Sequence, residues 1–121
     1  MTQPAVLDAA AALSSFMDLK KGRLSACTAQ HRRRLSDLFG VFSDEEARAR
    51  KAMEDDETVY ESFLTEPADQ PRARALCYST TVVYPGRVGD EFYMTRGHRH
   101  ARQDSPEVCL TARGRGMVLL Q

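Results

Sequence analysis

The sequence predicts a mainly β fold, a small sandwich or barrel with a helical preface. Three observations predict it: the second half of the chain carries short runs of β-branched and aromatic residues, Gly and Pro turn signals separate those runs at close intervals, and helical signals are confined to the first half. With 121 residues and 42% hydrophobic content the chain can bury one modest core, so the expectation is one domain. It carries no repeat of 20 to 50 residues and no low-complexity segment.

Residues 5 to 19 are alanine-rich and space Val6, Ala9, Leu13, Phe16 and Met17 along one helical face, which predicts a short amphipathic helix. The run His31-Arg32-Arg33-Arg34 is locally basic, but without interleaved aromatics it reads as a solvated face. Ser43-Asp44-Glu45-Glu46 has the spacing of a capping box with Ser43 as the N-cap. It predicts a helix from Asp44 to Asp55 through Ala47, Ala49, Ala52 and Met53.

Strand signals follow. Thr58 to Phe63 is the first, and a polar loop from Thr65 to Arg72 holds Pro67 and Pro71. Ala75 to Tyr84 is the second, with Leu76, Tyr78, Thr80 and Val82 on one face and Cys77, Ser79, Thr81 and Val83 on the other. Turns are expected at Pro85-Gly86 and Gly89. Further strands are expected at Glu91 to Thr95, Glu107 to Ala112 and Gly116 to Leu120.

Composition limits the function classes. Lys plus Arg and Asp plus Glu are both 17, so no global field exists to collect nucleic acid or an anionic membrane, and an anionic ligand must be caught locally. Cys27, Cys77 and Cys109 are odd in number and far apart, which argues against a disulfide framework or a thiolate zinc site and fits a reducing cytoplasm. Asp8 stands where a signal peptide would want a cation, and the alanine run is too short to span a bilayer.

The chemistry-bearing segment is Tyr93-Met94-Thr95-Arg96-Gly97-His98-Arg99-His100, followed by Glu107 and Gly114. On an extended strand, His98 and His100 project to the same side and can bind one ion. Glu107 opens the next expected strand and can complete a two-histidine, one-carboxylate set. Such a set leaves coordination positions open and suits iron(II), manganese(II) or another divalent first-row metal better than a closed zinc site.

His-x-His, six residues, Glu, six residues, Gly resembles the first cupin motif of the cupin-type (archaeal-type) glucose-6-phosphate isomerases. Other segments resemble that family in order, among them Arg33-Arg34-Leu35-Ser36-Asp37-Leu38, Val59-Tyr60-Glu61, Thr81-Val82-Val83-Tyr84-Pro85-Gly86 and Gly114-Arg115-Gly116-Met117-Val118-Leu119-Leu120-Gln121. The resemblance covers residues 32 to 121, and residues 1 to 31 form an N-terminal extension without a match.

The resemblance implies a jelly-roll barrel, a homodimer, and metal-dependent interconversion of glucose 6-phosphate and fructose 6-phosphate in glycolysis and gluconeogenesis. It makes His98, His100 and Glu107 metal ligands, with iron (Fe2+) or manganese (Mn2+) as the ion. Thr81, Thr95, Gly97 and Tyr60 fall at positions that bind the sugar phosphate.

Glu107 is the candidate general base of an enediol route, whereas a metal-assisted hydride shift would need no base. The resemblance also implies a fourth ligand, a later histidine of a second cupin motif. No histidine follows His100, so the chain reads as a partial domain, a fragment or incomplete reading frame. Two residues after Glu107, where the family has tyrosine, stands Cys109, expected as a buried inert thiol.

Two other readings use the same residues. One is a non-catalytic cupin module that binds metal or sugar phosphate. The other is an oxygen-dependent dioxygenase, disfavoured because Thr81, Thr95 and Gly97 suit a phosphate better than an apolar substrate.

Overall fold

The computed structural model describes residues 15–65, 77–99 and 106–119. Among the described residues it is mainly β, as predicted, with one α-helix. In chain order come β1 (Met17–Asp18), β2 (Arg23–Leu24), β3 (Ala29–Arg34), a 3-10 turn (Leu35–Asp37), α1 (Glu45–Glu54), β4 (Thr58–Thr65), β5 (Tyr78–Val83), β6 (Arg87–Val88) and β7 (Glu91–Phe92). The strands form a β1-β2 hairpin, a three-stranded antiparallel sheet ordered β3-β4-β5, and a β6-β7 hairpin.

The expected helix over residues 5 to 19 lies mostly outside the described residues, and its last turn is corrected. Met17 and Asp18 are strand residues paired with Leu24 and Arg23. The cause is local: Asp18 closes a turn, its side chain accepting the Lys20 and Lys21 amides and its carbonyl the Gly22 amide at 2.7 Å. Gly22 supplies the left-handed backbone, φ 66°, that this reversal needs.

The helix α1 falls where it was expected, but its cap is one residue later. The Asp44 carboxylate accepts from the Ala47 amide at 2.9 Å, while the Ser43 amide donates to the Glu91 carboxylate at 2.6 Å. Ala47 and Ala52 pack against the core and Met53 is exposed. Arg48 is buried as well, because its guanidinium donates to the Leu35 carbonyl at 2.6 Å, which also accepts the Leu38 amide, and is paired by Glu45. Burying an arginine is tolerable only with such partners.

The core holds Leu35, Leu38, Phe42, Val59, Tyr60, Val88 and Tyr93. It joins the 3-10 turn, the helix and the near ends of the sheet. The basic run is exposed, as expected, and forms most of β3. Register places Ala29, His31 and Arg33 opposite Leu64, Ser62 and Tyr60, and places Thr81 and Val83 opposite Ser62 and Tyr60 on the other side. Since directly opposite residues share a face, His31, Arg33, Tyr60, Ser62 and Thr81 lie on one face of the sheet.

Gln30, Arg32, Glu61, Phe63, Thr80 and Val82 lie on the opposite face. The β1-β2 hairpin sits there, with Gly22 so close that an added Cβ would come within 2.6 Å of Val82 Cγ2. Arg23 from the hairpin stacks on Phe63 at 5.5 Å and reaches Glu61 Oε2 at 3.3 Å. One face of the sheet is thus covered by the chain's own N-terminal hairpin.

The strands expected at Glu107 to Ala112 and Gly116 to Leu120 are corrected within the described residues: 106–119 carries no strand. The strand expected over Glu91 to Thr95 is limited to Glu91 and Phe92. A strand requires a hydrogen-bonded neighbour, and none lies beside these segments among the described residues. Val108, Leu110, Met117 and Leu119 are correspondingly exposed.

Candidate sugar-phosphate and metal site

Thr81 is exposed on β5, and its Oγ1 lies 3.1 Å from Ser62 Oγ on β4. Tyr60 is two residues before Ser62 on the same face and is buried at the core end of the strand. The structure therefore brings Tyr60 and Thr81 onto a common surface, with Ser62 between them in the register. Ser62 carried no sequence signal of its own; its period-two spacing from Tyr60 was the clue available.

Thr95, Gly97 and His98 follow Tyr93 on an extended segment outside any strand, and all three are exposed. The expectation that His98 projects from a strand is corrected accordingly. Two contacts fix where this segment starts. The Tyr93 amide donates to the Gly86 carbonyl at 2.9 Å, and the Tyr93 hydroxyl donates to Glu57. Lys51 stands over the Tyr93 ring at 4.8 Å and pairs with Glu57 at 3.5 Å.

Burial first, and then the bond to Glu57, raise the Tyr93 phenol pKa. The Tyr93 bond, against a smaller effect of burial, holds the Glu57 carboxyl below its ordinary value. Beyond Tyr93, Arg96 donates to the carbonyls of Asp37 and Phe39 at 3.1 and 3.2 Å. The segment bearing Thr95, Gly97 and His98 is thus tied to the loop after the 3-10 turn. Sequence reasoning missed this tie, because an exposed arginine carries no pattern that names backbone carbonyls as its partners.

His100 lies outside the described residues. Among the described residues no three His, Cys, Asp or Glu side chains gather closely enough to hold an ion. Glu107 and His98 are both exposed, and neither donor is buried in a way that bars an ion. In donor chemistry two imidazoles and a carboxylate fit a divalent first-row metal. Cys109 is corrected: it is exposed, not buried, and its thiol donates to Glu107 Oε1 at 3.6 Å. The Glu107 charge raises the thiol's pKa, which favours the neutral donor.

A family model described as Glucose-6-phosphate isomerase (GPI) matches residues 32–121. The chain belongs to the glucose-6-phosphate isomerase family. Relatives named glucose-6-phosphate isomerase agree. One from Thermococcus litoralis is 46% identical over 89 residues, covering 74% of this chain and 46% of that protein. Another, from Sinorhizobium medicae (strain WSM419), is 39% identical over 106 residues, covering 87% and 49%. The Pyrococcus furiosus protein is 44% identical over 89 residues, covering 74% and 46%.

The chain spans about half the length of the curated relatives it matches. Within this isomerase family the mainly β architecture agrees with the cupin-type expectation drawn from the His-x-His motif. Among the described residues no helix is long and apolar enough to cross a membrane.

Proposed function

We propose that the protein acts as a metal-dependent aldose–ketose isomerase interconverting glucose 6-phosphate and fructose 6-phosphate. The observation that carries this reading is the family match over residues 32–121, which includes both the Tyr60–Thr81 face and the His98, His100, Glu107 motif. A cytoplasmic homodimer working in glycolysis and gluconeogenesis is the setting that fits.

Thr81 and Thr95 offer hydroxyls to phosphate oxygens, Gly97 offers a backbone amide, and Tyr60 shares the sheet face of Thr81. Among the described residues an added Cβ at Gly97 would meet nothing within 4 Å, so their packing does not require glycine there. Close approach of a ligand to the backbone supplies a reason for it.

His98, His100 and Glu107 would hold the ion, iron(II) or manganese(II). When bound, it supplies a Lewis acid for the oxygens on C1 and C2. In an enediol route Glu107 would be the general base that moves the proton between those carbons, whereas a hydride shift would need none, and Cys109 donates to that same carboxylate. Phosphate binding remote from the reacting carbons fixes their position, so that binding energy is used for orientation at the reacting centre.

The test is turnover. The chain is joined to the remaining part of the Thermococcus litoralis relative and assayed with glucose 6-phosphate. Formation of fructose 6-phosphate that a chelator abolishes and iron(II) or manganese(II) restores is expected. A metal-loaded protein that binds glucose 6-phosphate without converting it would replace the enzyme with a binding module.

A further inference from the structure

Arginine side chains on the two faces of the central sheet meet different surroundings. On the hairpin-covered face, Arg23 and Arg32 both converge on the buried Glu61, at 3.3 and 2.8 Å. On the open face the strands β3, β4 and β5 present His31, Arg33, Tyr60, Ser62 and Thr81 and no carboxylate. Among the described residues no side-chain hydrogen bond or ion pair engages Arg33 or His31, and both are exposed.

The register sets these groups in two adjacent rows. Ser62 is the direct cross-strand neighbour of both His31 and Thr81, and Tyr60 of both Arg33 and Val83. Ser62 and Thr81 are already bonded hydroxyl to hydroxyl at 3.1 Å. Directly opposite residues on a sheet have Cβ atoms about 4.5–5.5 Å apart, within the span a phosphate group bridges. A guanidinium, an imidazole and a hydroxyl pair in that arrangement are donors to a phosphate dianion, with the guanidinium able to bind two of its oxygens.

We infer that Arg33 and His31, together with the Ser62–Thr81 hydroxyl pair, form the cationic half of the phosphate site on the open sheet face. The ligand class is a phosphate monoester, and the assignment to a sugar phosphate rests on the isomerase reading above. Arg33 and His31 act as binding residues that distinguish the phosphorylated sugar from the neutral one.

The test measures dissociation constants of the full chain for inorganic phosphate, glucose 6-phosphate and glucose by calorimetry. Arg33→Gln, His31→Gln and Arg32→Gln are compared, with a thermal melt recorded for each. Arg32→Gln removes the same charge from the other face; should it fail to fold, Arg50→Gln on the exposed side of α1 makes the equivalent change.

The expected result is that Arg33→Gln weakens phosphate and glucose 6-phosphate by about 10-fold or more, the size of one lost charge-assisted bond. His31→Gln weakens them less, and the control arginine leaves them unchanged. The inference is overturned if Arg33→Gln and His31→Gln bind like the parent, if the control loses as much as Arg33→Gln, or if the parent binds no phosphate compound. The isomerase reading fails separately: Arg33-dependent phosphate binding without turnover in the joined protein would remove it and leave this site standing.

Discussion

Tyr84 donates its hydroxyl to Glu61 Oε2 at 2.8 Å, at the edge of the sheet where β5 ends. The same buried carboxylate takes Arg32 at 2.8 Å and Arg23 at 3.3 Å. One side chain of β4 thereby joins β3, the residue following β5 and the N-terminal hairpin. Burial alone would raise the Glu61 pKa, but the Tyr84 and Arg32 bonds outweigh it and the carboxyl is held below the ordinary 4.5.

Glu61→Gln should therefore lower stability. The amide keeps the shape and one acceptor but loses the charge that three donors share. Because Arg23 and Arg32 are about half exposed, water compensates part of the loss, and about 1–3 kcal/mol is expected. A drop in the urea midpoint with an unchanged slope checks this.

Acid should unfold the protein through the same groups. Glu61, Glu57 and Asp56 are all held below their ordinary values, so just below about pH 4.5 the unfolded chain binds more protons than the folded one. Their contribution is then fully present above the unfolded values and is lost as pH falls through the folded ones. Unfolding free energy measured from pH 7 to pH 3 should be level near neutrality on their account and decline below about pH 4.5. Glu61→Gln should flatten part of that decline.

Gly22→Ala should loosen the hairpin. Its φ of 66° disfavours any side chain, by about 1–2 kcal/mol, and the new Cβ would also press on Val82 Cγ2. Lys20 and Lys21 are exposed beside it, so limited trypsin digestion should cut there faster in the variant than in the parent. Equal cutting rates would mean that the hairpin does not depend on this contact.

Tyr93→Phe keeps the ring and removes the bond to Glu57. A stability loss of about 1–2 kcal/mol is expected, since among the described residues the Glu57 side chain then keeps Lys51 alone as a partner. Thermal melts of the parent and variant in the same buffer measure it. A melting temperature unchanged within error would show the bond to be replaceable by water.

The sequence made legible what local patterns encode. α1 was readable because capping residues and a charge gradient mark a helix within a few positions, although Asp44 rather than Ser43 proved to be the cap. β4 and β5 were readable because their β-branched and aromatic runs match a half-covered sheet, and the alternation of Thr80 and Val82 with Thr81 and Val83 was correct.

Long-range partners were not legible. Nothing local says that the basic run of β3 pairs with β4, that Arg32 turns to Glu61 while Arg33 does not, or that Arg48 is buried against Leu35. Alanine richness overstated the helix at Met17 and Asp18, where an Asp18 turn and Gly22 decide the backbone. Strand patterns at 107 to 112 and 116 to 120 are only propensities until a neighbour pairs with them.

The metal claim is tested most directly by titrating manganese(II) into the purified chain and following the loss of the free ion's electron paramagnetic resonance signal. The account predicts one ion per chain, with most of the affinity lost in His98→Ala, in His100→Ala and in Glu107→Gln. Binding that is the same in all three variants as in the parent would contradict it.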